Sequence, residues 1–211
     1  MIANIVIYED NVALRESVVS LLQLSNEFNV LDAFGHCREV GEQIRKLKPE
    51  LVLMDIELPG MSGIEAVRKI RKFNKRVQII MLTVFDDNEN IFNALSAGAN
   101  GYLLKKNISE KLLDSIKEVM AGGAPMSPSI ARKIIGHVRK QPKVKTTDYQ
   151  LTEREKEILD SLASGNSFKL IANELNISLD TVRTHIKHIY DKLHVRSQIE
   201  AVCKAYREKL V

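Results

Sequence analysis

Glu9, Asp10, Asp55, Thr83 and Lys105 are the residues of this chain whose types could perform chemistry as a set. Clustered carboxylates repel one another, and a hard divalent cation with oxygen ligands and several waters, Mg²⁺, is their natural compensation. Beside such a cation Asp55 could attack a phosphoryl group as a carboxylate nucleophile. An amine at Lys105 would offset charge on the phosphoryl oxygens, and the Thr83 hydroxyl would donate to one of them. Singly, each residue has an ordinary reading: an Asp after a strand caps a helix, a Thr sits in a turn, a Lys is solvated. The elements around them decide whether they meet.

Residues 1–122 alternate between apolar runs and helical periodicity. IVIY (Ile5–Tyr8), NVLDAF (Asn29–Phe34), LVLM (Leu51–Met54), VQIIML (Val77–Leu82) and GYLL (Gly101–Leu104) read as strands. Between them Leu14, Val18, Leu21 and Leu22, then Val40, Ile44 and Leu47, then Ile64, Val67 and Ile70 recur at helical spacing. A further helix is expected from Asn88 to Ala97. Leu112, Leu113, Ile116, Val119 and Met120 form the apolar face of a closing helix that Gly122-Gly123 ends. Strands separated by helices imply right-handed crossovers and a parallel sheet covered on both faces. Working sites of such sheets lie beyond the carboxyl ends of the strands. Four of those five ends carry Glu9-Asp10, Asp55, Thr83 and Lys105; the second, Phe34-Gly35, offers no chemistry. Four converging ends make the ordinary reading of each residue untenable for the set.

These residues carry a resemblance. Glu9-Asp10, MDIELPGMSG around Asp55, LTVF holding Thr83 and GANGYLLKK holding Lys105 resemble the receiver domain of bacterial two-component response regulators. The resemblance implies a flavodoxin-like α/β fold of strand order 2-1-3-4-5. It implies that Asp55 accepts phosphate from a histidine kinase, with Mg²⁺ held by Glu9, Asp10, Asp55 and the main-chain carbonyl of Glu57. Thr83 and Tyr102 would be the switch pair, the threonine moving toward the phosphoryl group as the ring turns inward. Lys106 stands where many receivers carry proline.

The chain has 211 residues and 45% apolar content, enough for packed cores. No apolar run approaches the roughly 18 residues that span a bilayer, and MIANIVIYED lacks the basic start of a signal peptide. Cys37 and Cys203 match no metal spacing, so a reduced, cytoplasmic setting is expected. The net charge of +4 is unevenly spread: residues 132–145 hold six basic side chains and no acid. This basic stretch marks a connector, taken as residues 123–147. Ser127-Pro128 opens a short amphipathic helix bearing Ile130, Ile134 and Val138, and QPKVKTTDYQ (Gln141–Gln150) reads as a polar tether. The sequence does not say which domain that helix packs on.

Residues 148–211 carry no strand signal. Thr152 and Glu155 form a capping box for a first helix bearing Ile158, Leu159 and Leu162. A second begins at Ser167 and bears Leu170, Ile171 and Leu175; Asn176-Ile177 turns the chain, and Ser178 caps a third. On that third helix Val182, Ile186, Ile189 and Leu193 share one face, while Arg183, Thr184, Lys187, His188 and Asp191 point the other way. A fourth helix from Ser197 carries Ile199, Val202, Cys203 and Tyr206. Two helices joined by a tight turn fit a helix-turn-helix whose second helix enters a major groove of double-stranded DNA. On spacing alone the polar face reads rather as the solvated side of a small bundle, a reading the balanced charge of these residues favours.

LTEREKEIL, ISLDTVRTHIKHIYDKL and VRSQIEAV resemble the LuxR-type helix-turn-helix of the NarL/FixJ subfamily. The resemblance implies that Arg183, Thr184 and Lys187 face bases, while Lys169, Thr181 and His185 lie near the backbone. Phe168 and Leu170 stand where relatives commonly carry Asn and Glu. The last helix is the usual dimer face, with Val202 and Tyr206 as candidates. The expected protein is a phosphorylation-controlled transcription factor that acts as a homodimer on promoter DNA and is not an enzyme. A receiver that binds DNA without phosphate and an aspartyl-phosphatase-like enzyme are the alternatives. The second meets Glu57 where haloacid-dehalogenase-like enzymes place an aspartate.

Overall fold

The computed structural model describes residues 3–139, 149–208 and 210–211, which divide into two compact units, Met1–Met120 and Ala121–Val211. In the first, the strands β1 (Ala3–Tyr8), β2 (Phe28–Phe34), β3 (Leu51–Asp55), β4 (Gln78–Thr83) and β5 (Gly101–Leu104) form one parallel sheet of order β2-β1-β3-β4-β5. The helices α1 (Val12–Leu24), α2 (Val40–Leu47), α3 (Gly63–Arg71), α4 (Asn88–Ser96) and α5 (Ile108–Met120) connect and close it. Every residue of β3 is buried, as a central strand covered on both faces requires. Side chains at the helix entrances fix where β1, β3 and β4 yield to the helices that follow them. Asn11 accepts from Leu14 N–H, Ser62 forms a capping box with Glu65, and Asp87 accepts from Asn90 N–H. Met120, expected on the apolar face of α5, is 39% exposed, whereas Leu112, Ile116 and Val119 fill the core.

Gly63 decides how close α3 starts to the end of β3. A Cβ there would lie 1.8 Å from the backbone oxygen of Asp55, while its N–H donates to Ile56 O at 2.9 Å. No side-chain rotation relieves a clash with backbone. Gly63→Ala is therefore expected to destabilise the first unit by roughly 1–3 kcal/mol through overpacking. A thermal or urea melt checks this, and wild-type stability would contradict it.

In the second unit α7 (Glu153–Ala163), α8 (Phe168–Glu174), α9 (Leu179–Leu193) and α10 (Gln198–Glu208) enclose a core that includes Ile158, Leu162, Ile171, Val182, Ile186 and Ile189. The helix expected in the connector is α6 (Pro128–Arg139), and it packs on α10 within this unit. The tether expected over Gln141–Gln150 lies, through Asp148, outside the described residues. The Thr152–Glu155 capping box forms, and buried Glu155 also accepts from Lys192 Nζ at 2.7 Å. The α8–α9 turn places Asn176 at φ 51°, a left-handed conformation asparagine tolerates better than most residues. Tyr190 of α9 donates its hydroxyl to Gly122 O at 3.1 Å, fastening the start of the unit to that helix.

Of the apolar residues at the start of α8, Ile171 is buried but Leu170 is 44% exposed. Phe168, Ile171 and Ala172 take the core side, and Leu170 lies about 200° around the helix from Phe168. The bulky ring at 168 occupies the core position and turns residue 170 outward.

Candidate functional site

Strand register assembles the candidate site. Tyr8 pairs with Met54, Asp55 with Leu82, and Thr83 with Leu104. Glu9 and Asp55 therefore stand level at one rim of the sheet, with Thr83 one residue and Lys105 two residues further along. Lys105 Nζ donates to Asp55 Oδ2 at 2.8 Å and to Glu9 Oε1 at 2.9 Å, spanning the two buried acids. Glu9 Oε1 also accepts from Asn11 N–H at 3.2 Å. Glu9 Oε2 is buried without a hydrogen-bond partner, an uncompensated arrangement that proteins generally avoid. Glu9, Asp10 and Asp55 each offer a carboxylate oxygen, and these lie within 4.8 Å of one another. Two buried acids, an exposed third and an orphaned oxygen form a donor set that suits a hard cation. Glu57 is exposed on the loop after β3.

Burial raises the Asp55 carboxyl above its ordinary range, against the lowering effects of Lys105 and of the Glu57 and Ile56 backbone. Burial likewise raises Glu9, with nearby Asp55 adding to the rise and Lys105 opposing it. For Lys105 burial would lower the amine, but hydrogen bonds to Asp55 and Glu9 prevail and raise it. One lysine thus serves two buried acids, and the cluster carries surplus negative charge.

A carboxyl raised in the folded state binds its proton more readily there than in the unfolded chain. Its burial therefore costs stability at neutral pH, a cost relieved as pH falls through the folded value. Asp55→Asn removes one such charge and leaves Lys105 paired with Glu9. In chelator at neutral pH this variant is expected to be more stable than wild type by roughly 0.5–2 kcal/mol. The change would appear as a melting-temperature rise of several degrees; an unchanged or lowered midpoint would contradict it.

Thr83 and Tyr102 are both fully buried. Thr83 Oγ1 accepts from Phe85 N–H at 3.1 Å, and the Tyr102 hydroxyl donates to Phe85 O at 3.1 Å. The ring therefore already lies inward, tied to the loop that leaves β4. Burial, with the negative charge of Asp87, raises the Tyr102 phenol.

In the second unit Arg183, Thr184, Lys187, His188 and Asp191 are all exposed on α9, opposite the buried Val182, Ile186, Ile189 and Leu193. Arg183 Nη1 pairs with Asp180 Oδ1 at 3.0 Å, and Thr184 Oγ1 donates to Asp180 O at 2.9 Å. Lys169 is exposed at the start of α8, while Thr181 and His185 are half-buried. Val202 and Tyr206 do not form the free face expected of them. Val202 is 8% exposed within the core, and Tyr206 packs against that core with its hydroxyl donating to Ala163 O at 3.0 Å. The reason is that α10 packs on α7 and α9 and also on α6, which cover its apolar surface within one chain. Sequence reasoning also missed Arg15, whose guanidinium reaches back to the carbonyls of Glu9 and Asp10.

Residues 5–117 match the response regulator receiver domain, and residues 149–205 match the bacterial regulatory proteins of the luxR family. The chain belongs to the LuxR-type response regulators. It is 33% identical to the transcriptional regulatory protein LnrK of Bacillus subtilis, over 96% of each chain. It is 31% identical to the nitrate/nitrite response regulator protein NarL of Escherichia coli K12, over 99% of this chain and 97% of NarL. The crystal structure of response regulator ChrA from a heme-sensing two-component system aligns over 100% of this chain and 99% of its own, with a TM-score of 0.53 and 29% identity. This response regulator thus joins a receiver domain to a LuxR-type DNA-binding domain and is a two-component transcription factor. Among its described residues no helix is long and apolar enough to cross a membrane.

Proposed function

We propose that Asp55 accepts a phosphoryl group from a histidine kinase, and that this phosphorylation controls binding of promoter DNA by α9. The observation that carries the reading is the bridge of Lys105 between Asp55 and Glu9 beside the orphaned Glu9 Oε2. A carboxylate oxygen of Asp55 forms the new P–O bond while the donor imidazole nitrogen leaves. Glu9, Asp10, Asp55 and the Glu57 carbonyl would hold Mg²⁺, which when bound neutralises charge on the phosphoryl oxygens. Lys105 stays cationic through its two acid partners and serves the same oxygens. Thr83 gives up its loop contact to donate to one of them, with Tyr102, whose ring is already buried, as the second half of the switch. Arg183, Thr184 and Lys187 contact base edges, with Lys169, Thr181 and His185 near the DNA backbone. The regulator pairs as a homodimer on two half-sites and works in the cytoplasm.

Incubation with a small phosphodonor and Mg²⁺, followed by borohydride trapping and peptide mapping, tests the acceptor. The expected result is one label, at Asp55, that chelation of Mg²⁺ prevents; a label elsewhere overturns the assignment. A second reading, DNA binding without phosphate, draws on the inward ring of Tyr102. It requires equal DNA affinity before and after labelling.

A further inference from the structure

Arg15 sits in the first turns of α1, five residues after Asp10, and its side chain is half-buried. Its Nη1 donates to Glu9 O at 2.6 Å and to Asp10 O at 3.3 Å. A cation folded back over its own helix N-terminus opposes the helix dipole there, so electrostatics alone do not favour this placement. Local shape does favour it. A Cβ at Gly35 would come within 3.2 Å of Nη1, so the glycine after β2 leaves space for the guanidinium. Glu9 N–H donates to Phe34 O at 3.0 Å, and Asn11 N–H donates to Glu9 Oε1 at 3.2 Å. Backbone and side-chain bonds thus pin the three residues Glu9 to Asn11 from both flanks.

We infer that Arg15 is a positioning residue for the acid pair: by binding the backbone carbonyls of Glu9 and Asp10 it holds both carboxylates where they can join Asp55 around a divalent cation. This rests on the metal-binding reading given above. As a nearby positive charge Arg15 repels a cation, so a purely electrostatic role makes its removal tighten metal binding. As a clamp it supports binding, so its removal weakens it. Residues that orient ligands without touching the metal typically affect affinity by about 10–100-fold.

Mn²⁺ binding by the full chain, followed by electron paramagnetic resonance, separates these cases, with thermal melts as a control for folding. Arg15→Met is expected to weaken Mn²⁺ binding about tenfold or more. Arg15→Lys, whose ammonium donates to the same carbonyls, is expected to recover most of that loss. Equal or tighter binding by Arg15→Met overturns the inference. Met and Gln are both good helix formers, and Arg15→Gln repeats the test if Arg15→Met does not fold. Glu9→Gln in parallel ties the signal to this site. A wild-type chain that binds no Mn²⁺ overturns the metal reading and this inference together. A wild-type chain that binds it beside an equally competent Arg15→Met overturns this inference alone.

Discussion

Asp55→Asn is expected to take up no phosphoryl group from a small phosphodonor under conditions that label the wild-type chain fully. The amide has no anionic oxygen to attack phosphorus, and the neighbouring acids are poor substitutes. Glu9 is fully buried with one oxygen committed to Lys105 and Asn11, and Asp10 is exposed while Lys105 pairs with Glu9 and Asp55. Intact-mass measurement checks the loss. Lys105→Met should fold, yet label far more slowly, because charge on the phosphoryl oxygens then lacks the amine that spans Asp55 and Glu9. Wild-type labelling by Asp55→Asn would remove the acceptor from this account altogether. The same variant is expected to gain stability in chelator, so loss of labelling cannot be ascribed to unfolding.

The second large effect is on DNA. Arg183→Ala combined with Lys187→Ala is expected to lower affinity for a cognate operator by about 100-fold or more, since each base contact contributes roughly 1–3 kcal/mol. The two side chains lie one turn apart on the exposed face of α9 and make no contribution to the core, so folding should survive. Arg183 must leave Asp180 to reach a base, at small cost because the ion pair is solvated on both sides. Lys187→Ala alone distinguishes the contact type. A base contact relaxes sequence preference at one position, whereas a phosphate contact weakens all sequences alike and reduces the salt slope by about one. Retention of operator affinity by the double variant, in a melt-verified protein, would take α9 out of the DNA interface.

Much of the first unit was legible because a buried parallel strand leaves an uninterrupted apolar run. LVLM and GYLL needed only their flanks to be read, and a chemical group at each strand end followed from the direction of the chain. The strand register then explains why Glu9, Asp55, Thr83 and Lys105 meet within two residues of each other. Periodicity identifies an apolar face without naming what covers it. That is why α6 could not be assigned to a unit, and why Val202 and Tyr206 were expected on a dimer face when α10 is covered within its own chain. Phe168 and Leu170 pose a related problem: two apolar residues two positions apart compete for one side of a short helix, and only packing selects the ring. Arg15 left no periodic trace, because its partners are main-chain carbonyls, which carry no sequence signal. The only available cue was a basic side chain one turn after an acid pair, set against a glycine at the end of the neighbouring strand.

The measurement closest to the central claim is operator affinity of the full chain before and after treatment with a phosphodonor and Mg²⁺, with Asp55→Asn carried through the same steps. Tighter binding and a larger assembly are expected for the treated wild-type chain, and no change in the variant. Equal affinity and equal size for treated and untreated wild type, once labelling of Asp55 has been verified by mass, would contradict it.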